Sequence, residues 1–292
     1  MSIRTVEPFA GAAWVIDGVK LWWRNPRGFA FYGLWLGVLG ILPSLMAGVG
    51  MQIAALVQLV ALIASALVVL AMFYVAREVD EGRGASPAQL FRALQNGKAG
   101  RLLIGVLGPQ LLALVAVGML LSWLVGFEEA ERFAKALQEI QAGGAEAITP
   151  DALSTLPLGA IALWVGAAIA VVIAIGLLTF TMVPDMIFGD VGLPAALGRS
   201  VRACLRNLPA MLLFTIAMSV VGALAMVITG AFGMLLVPLL GQAAAGLFLN
   251  AIFVALLAPI STNAIYLGWK QLLGPDQDAN ATSTPPTDRV AM

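Results

Sequence analysis

The side chains that could do chemistry in this chain are few, and the missing types narrow the field first. There is no histidine, and Cys204 is the single cysteine. Histidine-based metal sites and His-activated nucleophiles are thereby excluded, and one thiol builds neither a zinc cluster nor an internal disulfide. No G-x-S-x-G, H-E-x-x-H or Walker sequence occurs. The acid of most interest is Asp185, directly after Pro184, which could pair with Arg199 or Arg202 downstream. The remaining candidates are neutral: Gln52, Gln58, Gln110, Thr179, Thr181, Asn250, Ser261, Thr262 and Asn263, all in or near apolar stretches. One reading is hydrogen bonding between buried helix faces. The other is a polar cavity drawing on Asp185, Asn250 and Asn263, where carbonyls freed near Pro259 bind a headgroup or a solute.

The elements that must position these groups are membrane helices. Residues are 61% hydrophobic and only 11% charged, against about 25% charged in ordinary soluble domains. No Asp, Glu, Lys or Arg occurs from Gly28 to Ala76, Leu102 to Phe127, Ala152 to Pro184, or Asn207 to Trp269. A spanning helix needs about 20 apolar residues. The first and last runs hold two crossings each and the middle runs one each, so six transmembrane helices are expected. The first apolar run is too long for a signal-peptide core, so the first crossing is expected to be retained. No ionisable group falls well inside a crossing, which argues against proton- or ion-coupled transport.

Three short segments flank these crossings. Phe9, Ala12, Ile16, Val19 and Trp23 share one helical face, and Asp17, Lys20 and Arg24 the other. Ser86-Pro87 opens a second such segment, ending near Asn96-Gly97. The third has Leu197, Val201, Cys204 and Leu205 on its apolar side and Arg199, Arg202 and Arg206 on its polar side. The pattern predicts an all-α integral membrane protein of three hairpins, each preceded by an amphipathic interfacial helix. The modules cover about 8–76, 86–183 and 193–273 of a single domain spanning 1–274. Crossing four is expected over about Leu158 to Met182, ending at Val183-Pro184-Asp185, and the turn between crossings five and six to lie near Pro238 to Gly241. A disordered tail is expected over 275–292.

Basic residues set the orientation. All but two of the sixteen Lys and Arg lie at one end of the expected bundle. That end is expected to be cytoplasmic, with both termini there, in a bacterial inner membrane. The exceptions, Arg132 and Lys135, sit among Glu128, Glu129, Glu131 and Glu139 in an acidic outward loop over about 127–157.

The Trp22-Trp23-Arg24-Asn25-Pro26 junction and the Asp190, Pro194, Arg202, Asn207-Leu208-Pro209 segment carry a resemblance. Over about residues 8–273 the chain resembles the uncharacterised six-helix inner-membrane protein family of proteobacteria. More loosely, it is similar to the membrane domain fused to some glycerophosphodiester phosphodiesterases. The resemblance implies no substrate and no functional residues, and nothing matches a phosphodiesterase catalytic domain. The sequence therefore points to a non-enzymatic membrane component that organises lipid or a partner protein. Trp22, Trp23, Arg24, Arg199, Arg202 and Arg206 would form the lipid interface. A protein partner would meet the surface helices or the acidic loop. No cofactor, metal or nucleic acid is expected. The alternative is a transporter of a small solute or lipid, using a polar cavity at Asn250, Asn263 and Asp185 near the kinked sixth helix.

Overall fold

A computed structural model describes residues 3–46, 49–95, 99–143 and 158–275. Among these the chain forms helices and no strand: α1 (Ala10–Arg24), α2 (Pro26–Met46), α3 (Met51–Asp80), α4 (Gln89–Gln95), α5 (Ala99–Leu124), α6 (Phe127–Gly143), α7 (Leu158–Leu178), α8 (Met182–Phe188), α9 (Leu193–Arg206), α10 (Leu208–Leu240) and α11 (Gln242–Leu272). Six spans are long and apolar enough to cross a membrane: α2, α3, α5, α7 with α8, α10 and α11. Asn96-Gly97, residues 144–157 of the acidic loop and the tail from 276 onward lie outside the described residues.

Crossing four is not one helix. It stops at Leu178, passes a turn and restarts as α8. Pro184 accounts for the break, because its ring would meet the carbonyl four residues back, at Phe180. The freed backbone is satisfied from another helix: the Thr181 N–H donates to Ser200 Oγ of α9 at 3.1 Å. Helices α10 and α11 have 33 and 31 residues, about 50 and 47 Å long. They turn at Gly241, whose φ of 78° is favoured by glycine alone.

Small residues bring the helices close. Gly33 and Gly37 of α2 lie against the backbone of Ala255 and Ala251 of α11. Gly11 and Gly18 of α1 sit on Ala210 of α10 and Ala264 of α11. Without a hydrophobic drive between helices in lipid, such close contact is the main source of adhesion.

The core is concentrated at the charged end. Phe29, Tyr32, Leu70, Met72, Leu102, Met182, Met186, Met211 and Leu272 are all fully buried there. At the opposite end, Leu114, Met119, Trp123, Met234, Leu235 and Leu239 are exposed. In water that much bare apolar surface would be a liability; in a bilayer it meets hydrocarbon.

Helices α1 and α9 each show three faces where the sequence suggests two. On α1, Gly11, Trp14, Val15, Gly18 and Leu21 are buried against the bundle. Ile16 and Trp23 are exposed apolar residues on a second face, and Asp17, Lys20 and Arg24 form the third. On α9, Ala196, Ser200, Ala203 and Cys204 are buried, while Leu197 and Leu205 are exposed. The apolar set expected from the sequence thus divides: Cys204 faces the protein and the leucines face away. On α9 the packed face consists of small and polar residues, which form no evident hydrophobic stripe.

Cys204 yields a direct check. Its thiol donates to the Leu177 carbonyl, and burial pushes its pKa up to about 11. A buried thiol kept protonated is inert. Maleimide should therefore leave Cys204 unlabelled in native membranes and label it fully after denaturation. Rapid native labelling would contradict the packing of α9.

Candidate functional site

The charged end of the bundle is held by ion pairs between helices. Glu78, near the end of α3, is nearly buried and meets Arg83 of the following turn and Arg92 of α4, the latter at 2.6 Å. Asp80 accepts from Lys270 Nζ at 2.6 Å and from the Tyr266 hydroxyl at 3.1 Å, tying α3 to α11. Arg101 of α5 reaches Asp190 after α8 at 3.1 Å. Hydrogen bonds from Arg77 and Arg83 hold the Glu81 carboxyl below its usual range. Between these pairs lies an aromatic cluster of Phe188, Tyr266 and Trp269, with the Arg77 guanidinium 5.3 Å from the Phe188 centroid.

Asp185 sits inside this framework with its side chain fully buried. Trp269 Nε1 donates to Oδ1 at 3.3 Å. Arg199 Nε lies 3.3 Å from Oδ2 as an ion pair, without hydrogen-bond geometry. The acid therefore links α8 to α9 and α11 at once. Arg202 points elsewhere and donates to the Gly198 carbonyl at 3.1 Å.

The neutral groups around Pro259 mostly bond within the bundle, and Asn263 Oδ1 alone among them is enclosed without a hydrogen-bond partner. Asn263 is buried and donates through Nδ2 to the Gly18 carbonyl of α1 at 3.2 Å. Thr262 and Ser261 bond back to the Ala258 carbonyl. Asn250 is exposed, and with Met226, Thr229, Gly230, Leu249 and Phe253 it lines a shallow groove of about 320 Å³ between α10 and α11. Asn250 and Asn263 stand about 20 Å apart along the helix. The structure thus places Asp185, Asn250 and Asn263 in three different environments and does not bring them together. No family model matches this chain, and no curated protein or solved structure matches it. Geometry alone must therefore carry the functional argument.

Two features of that geometry remain unspent. The first is cationic. Arg24, Arg27, Arg202 and Arg206 are exposed, and none has an acidic partner among the described residues. Exposed Trp23 and Leu205 accompany them. Trp22 is half-buried, and its Nε1 is enclosed without a partner. By contrast, six of the seven described acids at the same end, Asp17, Glu78, Asp80, Glu81, Asp185 and Asp190, are paired, and only exposed Glu7 is not.

The second is an open-sided cavity of about 300 Å³ between α3, α5, α7, α8 and α11, with Phe73, Val106, Pro109, Gln110, Gly176 and Thr179 on its wall. Its lining is mostly apolar. In the sequence, Pro109-Gln110 is one polar interruption among many, because the partner walls come from helices up to 155 residues further on (Ile265).

Proposed function

We propose that this protein is a non-enzymatic component of a bacterial inner membrane that gathers anionic lipid around a cytoplasmic collar of interfacial helices. The observation that carries this reading is the mismatch of charges at one end. Six of the seven described acids there, all but Glu7, are consumed by ion pairs, while four arginines, Arg24, Arg27, Arg202 and Arg206, stay exposed beside apolar side chains. An arginine beside an exposed tryptophan or leucine at the end of a spanning helix suits a phosphate at headgroup depth. The distribution of Lys and Arg supports a cytoplasmic position for this end.

The architecture proposed is three hairpins, each introduced by an interfacial helix. The common ordering of faces supports it. Around both α1 and α9, at 100° per residue, the buried, exposed-apolar and basic faces follow one another in the same rotational sense. The two junctions differ in detail. Asn25 Oδ1 accepts from the Gly28 N–H at the start of α2. Asn207 instead binds Val6 N–H and the Arg4 carbonyl, pinning the N-terminal segment.

The test is lipid retention. Protein purified in mild detergent should carry phosphatidylglycerol or cardiolipin visible by native mass spectrometry. Replacing Arg24, Arg27, Arg202 and Arg206 together by Gln should remove most of it without altering thermal stability. At about 1 kcal/mol per basic residue at a membrane surface, four substitutions weaken the attraction about a thousandfold. Wild-type protein that retains no anionic lipid, or a variant that retains as much, refutes the proposal.

A further inference from the structure

The cavity between α3, α5, α7, α8 and α11 is distinct from the arginine collar, and its chemistry is of another kind. Its rim reaches the outside of the bundle at Gln110, Val172 and Gly176, which are exposed. These rim residues lie in spans, so the opening faces bilayer hydrocarbon. Gln110 lies nine positions after Arg101 on α5, about 13 Å of helix. That depth is near the middle of a hydrocarbon core of about 30 Å. The Gln110 carboxamide has no hydrogen-bond partner among the described residues. Pro109 has no N–H, so the carbonyl of Gly105, also on the cavity wall, lacks its helical donor. Thr179 Oγ1 gives its proton to the Ile175 carbonyl at 2.7 Å, which leaves its lone pairs free to accept. An apolar pocket with few convergent polar groups is the usual form of a small-molecule site, and about 300 Å³ is the small end of that range.

We propose that this cavity binds an uncharged amphiphile of the bilayer interior, a single apolar chain carrying a neutral, hydroxyl-bearing head. The hydroxyl donates to Gln110 Oε1, Thr179 or the Gly105 carbonyl, and the Gln110 amide donates back. A phosphate or ammonium head is excluded by depth, because no countercharge lines the cavity and an unpaired charge at mid-bilayer is costly. The chain enters sideways from the membrane.

The experiment is a native mass spectrometry titration of detergent-solubilised protein. The probes are monooleoylglycerol and decylubiquinol, two sources of the same chemistry, and oleoyl lysophosphatidate as the charged counterpart of the first. At least one neutral probe should bind saturably, and the one that does identifies the source. Gln110→Leu should weaken it about tenfold. Gly176→Leu should abolish it by filling the cavity, and because a Cβ at Gly176 meets no atom within 4 Å, this variant should fold normally. An unchanged thermal midpoint for both variants checks that point. Absence of saturable binding by either neutral probe overturns the proposal. So does lysophosphatidate binding as tightly, or undiminished binding by either variant.

Discussion

Gly33→Leu or Gly37→Leu should collapse the fold, and Gly40→Leu on the same helix should be silent. A Cβ at Gly33 would lie 2.2 Å from the Ala255 carbonyl oxygen, and one at Gly37 would lie 2.4 Å from that of Ala251. Both obstacles are backbone atoms of α11, so no side-chain rotation relieves them. The helices must separate along the seam that joins the first crossing to the last. Overpacking in a core costs about 1–3 kcal/mol, occasionally more. With two backbones in contact, each substitution should reach about 3 kcal/mol or beyond. A Cβ at Gly40 meets nothing within 4 Å. Thermal unfolding in detergent, read with size-exclusion profiles, separates the outcomes. Equal midpoints for Gly33→Leu and Gly40→Leu would show that α2 and α11 do not meet this way. Gly11→Val extends the test to α1, since its Cβ would stand against the Ala210 carbonyl oxygen.

That contrast also shows what the sequence can and cannot reveal. Gly33 and Gly37 are recognisable as a small-residue pair, because spacing of four puts them on one face. The partner is not recognisable, because Ala251 and Ala255 lie more than 200 residues away and are ordinary residues in an apolar run. Six crossings follow from charge-free length alone, a one-dimensional property, as does the turn at Gly241. The break at Thr179 is harder to foresee, because Pro184 acts on the carbonyl of Phe180 and Ser200 must arrive from another helix to satisfy Thr181. The polar residues near Pro259 illustrate the same limit. Composition offers a cavity or a set of helix contacts, and only the location of Gly18 beside Asn263 distinguishes them. The cavity at Gln110 is least legible of all, since its walls come from five separate helices.

Arg199→Leu should be the most damaging single change among the charged residues, and adding Asp185→Asn should largely reverse it. Asp185 is fully buried while Arg199 remains 19% exposed, so the two partners are not equivalent. Removing the arginine leaves a carboxylate enclosed by protein with only the Trp269 N–H for company. Breaking a buried pair in this direction costs about 3–5 kcal/mol. Removing the acid's charge instead leaves a cation that can still reach water. Asp185→Asn also keeps an oxygen for Trp269 Nε1, so it should cost about 1 kcal/mol, the net worth of one hydrogen bond or less. The double variant has no stranded charge and should unfold near the Asp185→Asn midpoint. A double-mutant cycle on unfolding free energy therefore has a distinctive shape: one large single effect, one small one, and a coupling energy close in size to the large effect itself. If both single variants cost the same and their effects simply add, Arg199 is not what keeps Asp185 charged. The junction of α8, α9 and α11 would then rest on Ser200, Thr181 and the aromatic cluster alone.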